Sequence, residues 1–218
     1  MTRLKLSADE VLSTTRAVRK RLDLGRTVEM SLIRECLELA LQAPSGSNAQ
    51  GWQFMVVTDK DKIAEIAVYY QAAFADNEAG PYQPTQQHKD DPEMAPTQER
   101  VLNSAQYLAA NLARVPALLI PCMAGRPDAP GMDAGTLSGM YGSIIPATWS
   151  FMLAARERGL GTCWTTLHLN FEREIASLLG IPDDHTQVAM IPVAHTLGTD
   201  FSPAPRRPLE AVLHINAW

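Results

Sequence analysis

The sequence lacks the cysteine and histidine patterns that mark disulfide frameworks and metal sites. Its three cysteines, Cys36, Cys122 and Cys163, lie far apart without a CxxC pair, which favours free thiols in a reducing cytoplasm. The five histidines show no paired ligand spacing, and His195 and His214 are predicted to lie at strand ends. We therefore predict neither a disulfide-linked fold nor a metal centre.

Common motifs for nucleotide binding and hydrolysis are also missing. The chain has no GxxxxGKS/T phosphate loop, no HExxH motif and no GxSxG motif. The segment Gly159-Leu160-Gly161-Thr162 lacks the third glycine of a GxGxxG fingerprint, and a lone Gly-x-Gly is a weak signal. The chemistry must therefore come from some other arrangement.

Long apolar runs and an excess of positive charge are absent as well. No segment reaches ~18 uninterrupted apolar residues, and the first residues form no signal-peptide core. A net charge of -5 and a pI near 5.5 argue against a nucleic-acid-binding protein. With 46% hydrophobic residues, the 218 residues suit one globular domain, residues 1–218, in the cytoplasm and without a membrane or nucleic-acid partner.

Hydrophobic periodicity predicts helices that alternate loosely with short strands around one central sheet, an α+β or α/β class. Asn170 is expected to cap the last helix, Gly159 and Gly180 to end helices, and Pro146 to lie in a first helical turn. The predicted helices cover residues 7–20, 30–41, 60–74, 99–114, 143–158 and 171–179. The predicted strands cover residues 54–57, 117–123, 160–166 and 187–195.

A long polar segment, residues 75–97, interrupts this pattern. It contains Gly80-Pro81-Tyr82-Gln83-Pro84 and then Gln86-Gln87-His88-Lys89-Asp90-Asp91-Pro92, and it buries little apolar surface. Loops of this length are uncommon unless they are functional or mobile. We interpret the segment as a surface excursion, either a lid or a disordered loop.

The segment from Ala43 to Phe54 is the most informative part of the chain. Its sequence, Ala43-Pro44-Ser45-Gly46-Ser47-Asn48-Ala49-Gln50-Gly51-Trp52-Gln53-Phe54, places a polar turn between a helix and an apolar strand. Pro44 disfavours the helical conformation at the residue before it, and the glycine between serines lets backbone amides face outward. A loop of this kind is expected to bind a polar group.

Arginines near both ends of the chain add to this loop. Arg16, Arg19, Arg206 and Arg207 each offer a rigid fork of donors that matches phosphate oxygens. Taken singly, each is more typical of a solvated surface residue. Their occurrence together with the polar loop favours an anion-binding role.

Four segments resemble, in order, the signature regions of the FMN-dependent nitroreductase family, and the resemblance covers nearly the whole chain. The second segment is specific, the third and fourth are moderately so, and the first is weak alone. They are Arg16-Ala17-Val18-Arg19, the loop from Ala43 to Phe54, Gly159-Leu160-Gly161-Thr162-Cys163-Trp164 and Pro205-Arg206-Arg207-Pro208-Leu209-Glu210.

The resemblance implies an α+β fold with a mostly antiparallel central sheet surrounded by helices. It also implies an intertwined homodimer with two FMN molecules at the subunit interface, each contacted by both chains. NADH or NADPH would be the electron donor, and a small molecule the acceptor.

By position, the resemblance also assigns roles to individual residues. Arg16 and Arg207, with Arg206 as a further candidate, would hold the FMN phosphate, and Arg19 would lie near N1 and O2 of the flavin, where a cation favours the reduced form. The backbone amides around Thr166 and Leu167 would approach N5. Further contacts would come from Pro44, Ser45, Ser47, Asn48 and Gln50, some of them from the partner subunit, and from Ala17 and Gly161.

Three positions depart from the family pattern. Ala17 stands where the family often has serine, Gly51 replaces a common proline, and Thr165-Thr166-Leu167 replaces a turn that frequently contains glycine. We expect flavin binding to persist, with the space over the flavin narrowed.

The reaction implied by the resemblance is ping-pong electron transfer. NAD(P)H would reduce FMN, and an electron-poor nitroaromatic or quinone would then take the electrons. No residue stands out as an obligatory acid or base, which agrees with chemistry carried by the flavin. Reductive dehalogenation or flavin-consuming chemistry, and FMN storage or sensing with poor turnover, are the alternatives.

Overall fold

The computed structural model of the chain describes residues 3–218. It contains one antiparallel sheet and helices on both of its faces. The helices are α1 (Ala8–Thr14), α2 (Met30–Ala40), α3 (Lys60–Ala79), α4 (Ala95–Asn111), α5 (Ala134–Glu157) and α6 (Glu172–Leu179). The strands are β1 (Trp52–Val57), β2 (Ala117–Ala124), β3 (Leu160–Thr162), β4 (His185–Gln187) and β5 (Ile191–His195).

The strands are ordered β1-β2-β5-β3, and β4 pairs with β2 beyond the end of β5. All of these pairings are antiparallel. The expected α+β class with a mostly antiparallel sheet surrounded by helices is therefore confirmed. Strands β1 and β3 form the two edges of this sheet.

Strand β2 separates two layers of the core, because successive side chains of a strand point to opposite faces. Leu118 and Ile120 belong to a cluster with buried residues of α3, α4 and α6. Ala117 and Leu119 belong to a second cluster with buried residues of α2 and α5. The sheet is thus buried on both faces, which explains the uninterrupted apolar run of β2.

The predicted helix over residues 7–20 is wrong beyond Thr14. Thr15 is extended, Ala17 bridges Thr162, and the Val18 N–H donates to the Thr162 carbonyl over 2.8 Å. β-Branched residues lower helix propensity, and the open edge of β3 offers these residues alternative hydrogen bonds. The basic residues 16–21 therefore follow the sheet edge and are not on a helix.

The predicted position of Pro146 in a first helical turn is also wrong. Helix α5 begins at Ala134, where the Asp133 carboxylate accepts from the Thr136 N–H over 2.7 Å. Pro146 therefore lies in the interior of α5, where it removes one helical hydrogen bond. Burial of neighbours such as Ala147 and Phe151 supplies packing that offsets this loss.

Other element boundaries shift by a few residues. Asn170 does not cap α6 but lies inside a 3₁₀ turn, Leu167–Phe171. Gly180 ends α6 in the left-handed region, as predicted. Gly159 follows α5 and has a φ of 70°. The strand predicted over 160–166 ends at Thr162, and that over 187–195 divides into β4 and β5. His195 ends β5 as predicted, whereas His214 lies in no strand.

The polar excursion is shorter than residues 75–97. Helix α3 continues to Ala79 and α4 begins at Ala95, which leaves residues 80–94 with a 3₁₀ turn at Pro84–Gln86. Alanines at the end of α3 have high helix propensity and extend it past the last apolar position. No helix within residues 3–218 is long and apolar enough to cross a membrane.

Gly161 in β3 is required by packing. A Cβ atom at this position would lie 2.9 Å from side-chain atoms of Val18, Leu22 and Thr196. We expect Gly161→Ala to lower the free energy of unfolding by ~1–3 kcal/mol, because overpacking strains its neighbours. Chemical denaturation at equal protein concentration measures this change. Gly142→Ala is the matched control, because no atom of residues 3–218 outside its own helix lies within 4 Å of the added carbon.

His168 should make stability depend on pH. Its side chain is fully buried, and burial lowers the pKa of His168 from 6.5 to about 4. The unfolded chain therefore binds the proton first, so the free energy of unfolding should fall as pH drops from about 6.5 to 4, by on the order of 3 kcal/mol.

Replacing His168 tests this dependence. His168→Leu should flatten the pH profile of the unfolding free energy in that window, whereas His214→Gln, at an exposed position, should leave it unchanged. An unaltered slope in His168→Leu would show that the pH dependence arises elsewhere.

Candidate functional site

The loop at residues 43–51 is held by its own polar side chains. The Ser45 hydroxyl accepts from the Gln50 N–H over 3.0 Å, and the Gln50 side-chain amide donates to the Asn48 side-chain oxygen over 3.0 Å. The Gly46 N–H donates to the Ser143 hydroxyl on α5, also over 3.0 Å. The loop therefore has a defined shape, anchored to α5.

Three non-glycine residues of this loop adopt backbone conformations in the left-handed region. The φ angles are 51° at Ser47, 53° at Asn48 and 51° at Gln50. Such conformations cost on the order of 1 kcal/mol each and concentrate at binding and active sites. All three side chains are exposed, so the polar groups of a strained loop face outward.

A mostly apolar cavity of about 380 Å³ lies next to this loop. Backbone of the loop forms one wall, and the first half of α5 forms the opposite wall. Side chains that line it include Trp52, Met123, Met140 and Ile144. Its size and lining suit a small aromatic molecule.

The predicted N-terminal arginines lie along the edge of β3. Bonding of Val18 to Thr162 fixes the backbone between Arg16 and Arg19 against that strand. Arg16 Nη1 donates to the Ser202 carbonyl over 2.9 Å. Arg19 Nη1 donates to the Ser104 hydroxyl on α4 over 3.2 Å.

The segment around residues 197–202 brings the C-terminal tail to the same edge. Arg21 donates to the Leu197 carbonyl over 2.8 Å and to the backbone and carboxylate of Asp200 over 2.9 and 2.7 Å. Gly198 permits this approach, because its φ is 76° and a Cβ would lie 2.7 Å from the Arg21 guanidinium. Arg21 thus stabilises the turn that precedes the C-terminal tail.

The Phe201 ring contacts two arginines at that turn and stabilises it. The guanidinium carbons of Arg21 and Arg156 lie 4.1 and 5.0 Å from the centre of its ring, within cation–π range. Arg156 is buried, donates to the Thr199 carbonyl over 3.0 Å, and has its pKa lowered by burial. Sequence reasoning missed these contacts, and the turn-forming residues Gly198-Thr199-Asp200 were a signal for this turn.

The two C-terminal arginines follow this fastened turn and are exposed. Arg207 Nη2 lies 3.1 Å from His88 Nδ1, in the excursion at 80–94, and Arg206 donates to the Pro205 carbonyl over 2.9 Å. The contact with His88 requires a neutral imidazole, because a protonated ring has no acceptor nitrogen. The excursion therefore touches one of the predicted phosphate ligands.

The predicted arginines are not paired with carboxylates of residues 3–218, as is also true of Arg26, Arg100 and Arg114. Within residues 3–218, ion pairs with carboxylates are formed by Arg21, Arg126, Arg158 and Arg173. None of the four predicted anion ligands forms one within this range. Arg16, Arg19, Arg206 and Arg207 thus keep charge available for an anion.

The turn after β3 offers free backbone donors. Thr165 pairs with Met190, and the chain then turns so that Thr166 is exposed and Leu167 is half-buried. Neither the Thr166 N–H nor the Leu167 N–H donates a hydrogen bond to any residue from 3 to 218. Two amides at the sheet edge are therefore available to a ligand atom.

A bidentate ion pair lies at the start of α6, directly after this turn. Arg126 Nη1 and Nη2 contact the two Glu172 carboxylate oxygens over 2.7 and 2.9 Å, and the Gln187 N–H donates to the same carboxylate over 3.0 Å. Burial opposes ionisation, but Arg126 and the Gln187 amide hold the pKa of Glu172 below its usual value. The pair joins the start of α6 to β4.

One chain does not bring the strained loop and the arginines together. The loop precedes β1 at one sheet edge, whereas Arg16 and Arg19 lie on the segment that pairs with β3 at the other, ~19 Å away across four strand spacings. The two also lie at different heights along the strands: Trp52 pairs with Met123 of β2, whereas Thr162 is aligned, through Val193, with Ala117 of β2. These two positions of β2 are 123 − 117 = 6 residues apart. That adds ~20 Å along the strands.

Comparisons with known proteins agree with this architecture. The chain is 28% identical over 209 residues to a 4-nitrobenzoate reductase from Nocardioides sp. (strain LMS-CY), a match that covers 86% of this chain and 79% of that protein. Its fold is similar to a BluB-like flavoprotein from Clostridium difficile 630, with a TM-score of 0.70, 20% identity, and 96% and 99% of the two chains covered.

Two further solved structures share the fold. One is the FMN and NADPH-dependent nitroreductase NfnB from Sphigopyxis sp. strain HMH, with a TM-score of 0.69, 21% identity, and 98% and 100% of the chains covered. The other is iodotyrosine deiodinase bound to FMN and 3-iodo-L-tyrosine, with a TM-score of 0.65, 20% identity, and 94% and 96% covered. The sequence profile of the nitroreductase family matches residues 12–195. The chain belongs to the nitroreductase family.

Proposed function

We propose that this protein is an FMN-dependent oxidoreductase that uses NADH or NADPH to reduce an electron-poor acceptor such as a nitroaromatic or a quinone. The observation that carries the proposal is that the four arginines in the segments resembling the family's signature regions, Arg16, Arg19, Arg206 and Arg207, form no ion pair with a carboxylate of residues 3–218. FMN supplies a flavin N5 that accepts and donates hydride. The residues of the chain bind it, orient it and adjust its electrostatics.

The C-terminal tail and the N-terminal segment supply the phosphate ligands. Arg16 contacts the tail at Ser202, four residues before Arg206. Guanidinium forks bind phosphate oxygens through charge-assisted hydrogen bonds, each worth ~1.5–3 kcal/mol. A dianionic phosphate suits three cations that have no carboxylate partner within residues 3–218.

The flavin ring is placed against the edge of β3. The free N–H groups of Thr166 and Leu167 are suited to orient N5, and Arg19 to face the N1 and O2 side. A cation there favours the negative charge that the reduced ring carries. Ala17 contributes exposed backbone at this edge, whereas Gly161 acts indirectly by letting the N-terminal segment pack against β3.

The strained loop completes the site from a second copy of the chain. Pro44, Ser45, Ser47, Asn48 and Gln50 lie too far from the arginines of their own chain to contact the same flavin. An intertwined homodimer resolves this distance by combining the loop of one subunit with the β3 edge of its partner. Each of the two sites would then contain residues from both chains.

Exposed apolar residues support this assembly. On α2, at its C-terminal end and on α5 they include Leu39, Leu41, Ile145 and Trp149, and the C-terminal tail exposes a longer series. Large exposed apolar surfaces mark protein contacts. The exposed apolar residues of the tail are Leu209, Val212, Leu213, Ile215 and Trp218.

The mostly apolar cavity beside the loop is suited to the acceptor ring. A flat aromatic acceptor buries its faces there without needing a charged partner. Reductive dehalogenation is the second candidate, because the excursion at 80–94 touches Arg207 through His88 and so borders the phosphate end of the site. The three buried free cysteines fit a reducing cytoplasm.

Spectroscopy of the purified protein tests the function. We expect a yellow protein whose flavin absorbance bleaches anaerobically with NADH or NADPH and returns with a nitroaromatic or quinone. Recovery only with a halogenated phenol would favour dehalogenation, and no recovery with any acceptor would indicate FMN storage. A colourless protein that gains no FMN on reconstitution would rule out the proposal.

Substitution of Arg207 tests the phosphate assignment. Arg207→Ala should weaken FMN binding by about 10- to 100-fold, the equivalent of one charge-assisted hydrogen-bonding group. Quenching of flavin fluorescence on titration measures the dissociation constant. Arg173→Ala is the control, since that exposed arginine pairs with Asp183 and should bind FMN like the wild type. Equal weakening in both variants would contradict the assignment.

Removal of the exposed tail tests the assembly. Deleting residues 209–218 should shift the protein from dimer toward monomer and lower FMN retention, because the apolar contacts with the partner are lost. Light scattering after gel filtration measures the mass. Val68→Glu, at an exposed apolar position on α3, is the control and should remain dimeric. A wild type that is monomeric with FMN bound would contradict the two-chain site.

A further inference from the structure

Arg19 has a distinctive set of neighbours on α4 and β3. Its Nη1 donates to the Ser104 hydroxyl over 3.2 Å, and that hydroxyl donates its own proton to the Val101 carbonyl over 2.9 Å. A hydroxyl has one proton and two acceptor positions. Because the proton of Ser104 is already used by the helix backbone, its lone pairs are directed to the arginine.

The other polar neighbours of Arg19 are neutral. Burial raises the pKa of the Cys163 thiol, and the nearby Arg19 charge only partly opposes this rise. Burial likewise raises the pKa of Tyr70 to about 12, again with Arg19 acting in the opposite direction. Neither group ionises near neutral pH, so the charge of Arg19 is not neutralised.

A half-buried arginine without a carboxylate partner exerts its charge over a short range, and the effect depends on where the guanidinium lies. The side chain has several rotatable bonds, and fixing it costs up to ~2 kcal/mol of rotamer entropy. The hydrogen bond to Ser104 uses one of the five N–H donors of the Arg19 guanidinium and leaves the others available. The hydrogen bond therefore restricts the position of Arg19 without occupying its binding face.

We propose that Ser104 is a positioning residue, which holds Arg19 toward the N1 and O2 side of the flavin and thereby sets the preference of the site for reduced over oxidised FMN. This inference rests on the proposed function. It assigns to α4, which contains none of the sequence-predicted ligands, a part in the electrostatics of the site.

The neighbouring residue on α4 provides a matched control. Asn103 accepts a hydrogen bond from the Lys20 ammonium, so it joins the same helix to the same turn of the N-terminal segment. Lys20 is exposed and is not among the residues assigned to FMN. Asn103→Ala thus removes an equivalent contact between α4 and the turn while leaving Arg19 in place.

The experiment compares the FMN-loaded wild type with Ser104→Ala, Ser104→Thr and Asn103→Ala. Three quantities are measured: the dissociation constant of oxidised FMN, the midpoint potential against redox dyes, and the pH at which reduced flavin takes up a proton, from its absorbance. Only the last two report the charge near N1. Thermal unfolding confirms that each variant is folded.

For Ser104→Ala we expect oxidised FMN to bind within about threefold of the wild type. Reduced FMN should bind about tenfold more weakly relative to oxidised FMN, which lowers the midpoint potential by about 30 mV for a two-electron couple. The reduced flavin should also take up its proton at higher pH, because its anionic form is less stabilised. Ser104→Thr should restore both values, and Asn103→Ala should match the wild type.

Two outcomes would overturn the inference while leaving the proposed function intact. One is that FMN binds and turns over, but Ser104→Ala keeps the wild-type potential and protonation pH. The other is that Asn103→Ala shifts both as much as Ser104→Ala does, which would assign the effect to docking of α4. A wild type that binds no FMN would overturn the inference together with the proposed function.

Discussion

The arrangement of the site depends on the absence of a side chain at one position of β3. Gly161 lets the N-terminal segment and the turn after β5 converge on the strand, so that Val18, Leu22 and Thr196 meet where a Cβ would be. The hydrogen bond from Val18 to Thr162 forms only at this separation. Because the segment runs along the sheet edge as a result, Arg16 and Arg19 stand beside the same strand.

Two groups of arginines share this region and do different work. Arg21 and Arg156 surround Phe201 and have their donors engaged by backbone carbonyls, a hydroxyl or Asp200, so they form the support of the tail. Each arginine of the other group, with Arg16 as an example, makes a single side-chain hydrogen bond within residues 3–218. Local sequence does not distinguish the groups, because the difference arises from tertiary partners.

The sequence predicted those parts of the fold that local chemistry determines. Gly180 ends α6 where expected, and β2 is an apolar run because both of its faces are buried. The extended course of residues 15–18 depends on the distant edge of β3, and the start of α5 depends on the Asp133 cap. The support of Arg19 by Ser104 joins residues 85 positions apart, so no pattern of spacing could reveal it.

The left-handed conformations of Ser47, Asn48 and Gln50 have a consequence for recognition. A glycine-rich loop would reach the same geometry without strain, but it would also visit many others, and a ligand would have to select one of them. Here the loop takes its single conformation during folding, and hydrogen bonds to the hydroxyls of Ser45 and Ser143 stabilise that conformation. The chain is less stable for this, and the loop presents a single preorganised surface to any molecule that reaches it.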